Sequence, residues 1–216
     1  FPSAYFYQNT LELLEINPEL TSRLTGPIPW KAPALADPLT EALTNHRMIY
    51  LPAPVDQEDH QKTNRYEAEA IRLCVQAYTR LFKHNFIQWD DEDVLGVITP
   101  YRAQIAVIRQ ELDRAGLQKL PITIDTVERY QGGARNIILI SLCTNQLRQL
   151  ESLVSMSEEG VDRKLNVALT RAREQIILVG NREILQENEV YSALLAHCFT
   201  LQLDLGDVDH GQSAKG

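Results

Sequence analysis

Three stretches of the chain, VLGVIT (94–99), NIILISL (136–142) and QIILVG (175–180), are apolar at both odd and even positions. A half-buried strand alternates apolar and polar residues; a run that ignores the alternation must be covered on both faces. Runs this short, bounded by proline, glycine and asparagine, read as strands rather than helices. PITI (121–124) and HRMIYLPAP (46–54), the latter stopped by two prolines, supply two more. Between them lie amphipathic helical patterns. TNRYEAEAIRLCVQAYTRLFK (63–83) repeats Ile71, Cys74, Val75, Tyr78, Leu81 and Phe82 at helical spacing, with Asn64 as cap and Glu67 as third-position acid. YRAQIAVIRQELDRAG (101–116) places Ile105, Ile108 and Leu112 on one face and closes on Gly116. Strands buried on both sides, alternating with such helices, predict an α/β fold with a mainly parallel sheet flanked by helices on both faces.

In such sheets ligands gather at the carboxyl ends of the strands. That selects the loop Thr99–Pro100–Tyr101–Arg102 after VLGVIT and Gly180–Asn181 after QIILVG. It sets aside the acidic run Asp90–Asp93, which precedes its strand and is expected to be a solvated loop. The net charge of −8 argues against non-specific nucleic-acid binding. The charge is uneven, however: residues 94–182 carry twelve Lys/Arg against nine Asp/Glu, and both flanks are acidic. An anionic partner is therefore favoured in the middle of the chain.

Residues 1–45 read as an irregular segment of the same domain, broken by Pro27, Pro29, Pro33 and Pro38. The body of the domain is expected over 46–205, with a polar, flexible tail over 206–216. The start, FPSAYFYQNT, has no Met and no signal pattern, which suggests a piece of a longer protein. No apolar run is long enough to span a bilayer. Cys74, Cys143 and Cys198 lack paired or metal-type spacing, so a reducing, cytoplasmic location is expected. The five His are scattered, and no metal ligands are assigned.

KLNVALTRAREQIILVG (164–180) sets basic residues immediately before a buried strand. As a helix it buries Leu165, Ala168, Leu169 and Ala172, with Lys164 and Arg171 on one flank and Asn166 and Arg173 on the other. Spacing alone describes an amphipathic helix whose long basic side chains cover its rims.

The letters add more. LNVALTRAR (165–173) resembles motif VI of the superfamily 1 helicases, most closely the 5′-to-3′ branch that contains the nonsense-mediated-decay helicase and the replication nuclease-helicase. TVERYQGGARNIILIS (126–141) resembles motif V, and VLGVITPYRAQ (94–104) the strand–loop–helix of that family's second RecA-like domain. FPSAYFY resembles the segment that follows the family's Gln-Tyr-Arg-Met motif and TNRYEAEAI its first long helix, in the same order. The resemblance implies a RecA-like (P-loop NTPase-type) second motor domain that works on ATP with Mg2+ bound mainly by a first RecA-like domain outside this chain. No G-x-x-x-x-G-K phosphate loop occurs here.

Carried over by residue, the resemblance makes Arg171 the arginine finger, because a permanently charged fork can hold two phosphate oxygens. It places Gln131, Gly132 and Lys164 at the nucleotide. Single-stranded DNA or RNA falls to Thr126 and to Thr99, Pro100, Tyr101, Arg102 and Gln104, and Arg173 is left to a structural or interdomain contact. The family has an acid two residues after Gly132, where this chain has Ala134. Either Glu128 or a residue of the first domain substitutes for it, or the contact is dispensable. The alternative is a degenerate RecA-like module that binds nucleic acid or a protein without hydrolysis.

Overall fold

A computed structural model describes residues 28–57, 62–130, 133–153 and 163–206. In chain order the elements are α1 (Pro38–Asn45), β1 (Met48–Pro52), α2 (Arg65–His84), β2 (Leu95–Thr99), α3 (Arg102–Arg114), β3 (Thr123–Thr126) and β4 (Arg135–Ser141). They continue with α4 (Leu147–Leu153), α5 (Arg163–Leu169), β5 (Ala172–Gly180), α6 (Arg182–Gln186), α7 (Glu189–Ala196) and β6 (Phe199–Thr200). The six strands form one sheet in the order β3-β2-β4-β5-β1-β6, and every pairing is parallel.

The apolar runs divide by parity, as burial on both faces requires. Leu95, Val97, Ile137, Leu139, Ile177 and Val179 face α1, α2 and α3. Ile98, Ile138, Ile140 and Leu178 face α4, α5 and α7. Each fully buried aliphatic side chain stabilises by about 1.5–3 kcal/mol, so losing either helical layer would strand a whole parity of the sheet.

Four local expectations shift. Residues 38–45 are helical: Asp37 caps Thr40 N, and Pro38 takes the first helical position, where its missing N–H is no loss. The third strand starts two residues after Pro121 and carries Thr126 at its carboxyl end. The basic helix α5 stops at Leu169, so Ala172 and Arg173 are strand residues and not a continuation of its stripe. β6 is an addition at the sheet edge, where Phe199 stacks on His46 with ring centroids 3.8 Å apart and Leu201 N–H donates to Tyr50 O.

Candidate functional site

Parallel pairing of β2 with β3 sets Thr99 opposite Thr126, so the loops that follow them emerge side by side at the carboxyl edge. Between these loops lies a groove of about 480 Å³, lined by Lys62, Pro100, Tyr101, Arg102, Thr126, Glu128 and Arg129. Tyr101 N-caps α3 without a side-chain hydrogen bond to the helix, and its carbonyl accepts from Gln104 N at 3.1 Å. Lys62 and Arg102 are exposed, and Arg129 is held 3.8 Å from Asp125. Three cations, the Glu128 carboxylate, a hydroxyl and an aromatic ring share one groove, and cations and aromatic rings are groups of the kind that contact phosphates and stack on bases.

Of the residues expected at nucleic acid, Pro100, Tyr101, Arg102 and Thr126 meet on this groove. Thr99 and Gln104 do not. Thr99 is fully enclosed beneath the loop, its hydroxyl without a protein partner among the described residues. Gln104 points inward and is also fully enclosed. Its Nε2 donates to Asn64 O (2.9 Å) and Ser141 Oγ (3.1 Å), and its Oε1 accepts from Asn64 N (2.8 Å). Lys62 and Arg129 were not singled out by the sequence. Their one local sign is position, just before the Asn64 cap and just after Thr126.

Gln104 belongs to a buried polar hub centred on Glu67. Asn64 does cap α2, accepting from Glu67 N at 2.9 Å, but the Glu67 carboxylate does not return to the cap. It accepts instead from Ser141 Oγ (2.7 Å), Cys143 N (2.7 Å) and Thr144 N (2.9 Å), at the carboxyl end of β4. Burial raises this carboxyl to a pKa of about 7 even though those bonds favour its charged form.

Lys164 pairs with Glu128 at 3.0 Å, which fixes α5 to the loop after β3. Burial alone would raise the Glu128 carboxyl. Its own backbone N–H, Lys164 and the Thr126 hydroxyl outweigh that and hold it below the usual range. Lys164 lies on α5 whereas Arg171 lies past its end, in the turn before β5, so the shared helical flank expected of them does not form. Lys164 belongs with the groove at the carboxyl edge, whereas Arg171 sits at the amino end of β5.

There the Arg171 carbonyl accepts from Arg135 N (2.8 Å), and its Nε donates to Val167 O (3.3 Å). Its guanidinium is half-buried and pairs with no carboxylate among the described residues. Neighbouring cations are engaged: Asp93 faces both Arg135 (3.5 Å) and Arg173 (3.6 Å). The acidic run is therefore not wholly solvated, because its last member ties β2 to β4 and β5. Gln131 and Gly132 lie outside the described residues.

The AAA domain family AAA_12 matches residues 1–183. The chain belongs to this AAA domain family. Relatives of the AAA domain include a probable helicase of Dictyostelium discoideum, 28% identical over 206 residues, covering 91% of this chain and 18% of that protein. A "regulator of nonsense transcripts 1 homolog" of Arabidopsis thaliana is 29% identical over 208 residues, covering 91% of this chain and 14% of that protein. The "DNA polymerase alpha-associated DNA helicase A" of Saccharomyces cerevisiae is 40% identical over 96 residues, covering 44% of this chain and 13% of the yeast protein. The relatives are superfamily 1 helicases, and the AAA domain spans less than a fifth of the length of these three. No helix among its described residues is long and apolar enough to cross a membrane.

Proposed function

We propose that this AAA domain is the second motor domain of an ATP-dependent nucleic-acid helicase. In this reading it supplies Arg171 to the γ-phosphate of ATP and part of the track for a single strand. The observation that carries it is the Thr99–Thr126 register, which joins the loops after β2 and β3 into one cation-lined groove that reads backbone rather than sequence. Arg171 fits the nucleotide because only its Nε is spent on the protein, leaving the fork of N–H donors for phosphate oxygens. No group of three or more His, Cys, Asp or Glu able to hold a metal occurs among the described residues. Following the family resemblance, Mg2+ is assigned to the phosphates and to a first RecA-like domain. Lys164 supports the groove indirectly, by holding Glu128 against α5. This domain alone is expected to lack ATPase activity.

The test is strand-stimulated ATP hydrolysis by the full-length protein. An arginine finger contributes on the order of 10³–10⁵ in rate, so Arg171→Ala should abolish turnover while single-strand affinity persists. Near-normal turnover in that variant would sink the assignment. Ala134, standing where the family has an acid, favours a second reading, in which the module binds nucleic acid or a protein without hydrolysis. Strand binding by a wild-type protein with no ATPase activity would select that reading.

A further inference from the structure

Asn64, Glu67, Gln104, Ser141 and Thr144 are all completely enclosed, yet they form a connected polar net where the surrounding sheet and helices offer apolar packing. A relay runs from Gln104 Nε2 to Ser141 Oγ (3.1 Å) and from Ser141 Oγ to Glu67 Oε2 (2.7 Å). Asn145 extends it: its Nδ2 donates to Thr63 O (2.6 Å), and its Oδ1 accepts from Asn64 Nδ2 (2.7 Å). The net thus ties together two of the segments that line the groove. Lys62 immediately precedes Thr63, and Tyr101 and Arg102 open the helix turn that carries Gln104. Cohesion alone is supplied at least as well by apolar groups; a fully satisfied net instead selects one geometry.

We propose that Gln104 is a positioning residue for single-strand binding, acting through Arg102 and Lys62 without touching the strand. This rests on the groove being the strand site. Gln104 sets the separation of these two segments, so that the Arg102 and Lys62 cations meet phosphates simultaneously. The Ser141 hydroxyl and the Glu67 carboxylate hold its amide in register.

The test is a double-mutant cycle in the full-length protein, read by anisotropy of a labelled single-stranded oligonucleotide over a range of salt concentrations. Gln104→Leu should weaken binding about tenfold and flatten the salt dependence, with KM for ATP unchanged. In an Arg102→Ala background the same change should cost much less, because the contact it positions is already gone. An equal cost in both backgrounds overturns the proposal, as does a lowered melting temperature with affinity and salt dependence intact. If Gln104→Leu does not fold, Ser141→Ala cuts only the hydroxyl link and is carried through the same cycle, with the same two outcomes deciding. Full affinity in Arg102→Ala alone would instead overturn the groove as strand site, and this proposal with it.

Discussion

At position 67 a carboxylate is closed off from water, accepts hydrogen bonds from two backbone N–H groups and a serine, and has no ion-pair partner among the described residues. Burial wins over those bonds and lifts its pKa from 4.5 to about 7. Between those two values the folded chain holds a proton that the unfolded chain has released. The Glu67 contribution to stability is therefore fully present below 4.5 and is lost as pH rises through about 7. Around it, Cys143 and Tyr50 are pushed further from ionising by burial, and Asp56 is paired with Arg65. Glu67 is the hub group whose pKa burial brings into this window. Glu67→Gln should cost about 1–3 kcal/mol at pH 5, because its amide N–H₂ confronts backbone donors of the β4 loop. It should also flatten the decline in stability from pH 5 to pH 8, as followed by urea unfolding. A variant with the same decline as the wild type would place the titration elsewhere.

Among the elements, β2 shows why one strand admits no side chain at its second position. A Cβ on Gly96 would lie 1.6 Å from the Tyr130 hydroxyl oxygen, since Tyr130 folds back over the strand beneath the Arg135 guanidinium. Gly96→Ala is expected to destabilise by at least the 1–3 kcal/mol typical of overpacking. Tyr130→Phe should be neutral or slightly stabilising, because that buried hydroxyl has no hydrogen-bond partner among the described residues. Thermal denaturation of the two variants checks both; a marked loss in Tyr130→Phe would reveal a hidden bond. The same element shows what a sequence can and cannot display. The apolar letters of β2, β4 and β5 report burial on both faces, so strands and fold class were legible. β6 was not, being two residues long with Phe199 partly exposed. α1 was hidden because proline breaks helices everywhere except at their start. Glu67 sits at a helix-capping spacing, and only packing against β4 redirects it. Thr126, Tyr101 and Arg102 could be named from the motifs, but their meeting with Lys62 depends on a strand order, β3-β2-β4, that no local pattern encodes.

For the whole molecule, charge placement matters more than charge total. The chain is acidic overall, with a net charge of −8, yet its groove presents Lys62, Arg102 and Arg129 together at the β3 side of the sheet. Binding should therefore be local to that edge and strongly screened by salt. Each phosphate neutralised on a single strand contributes about 0.7 to the slope of log affinity against log salt. Replacing all three cations by alanine should make the slope of the full-length protein shallower by about 2. Exposed Asp204 follows β6 at the opposite edge of the six-stranded sheet, some five strand spacings, or roughly 24 Å, away. That exceeds the Debye length of about 8 Å at physiological ionic strength, so Asp204→Lys should leave both slope and affinity unchanged. If Asp204→Lys strengthened binding as much as the triple replacement weakened it, the strand would be responding to total charge. The groove would then have no special standing, so the pair of measurements separates a built track from a diffuse field.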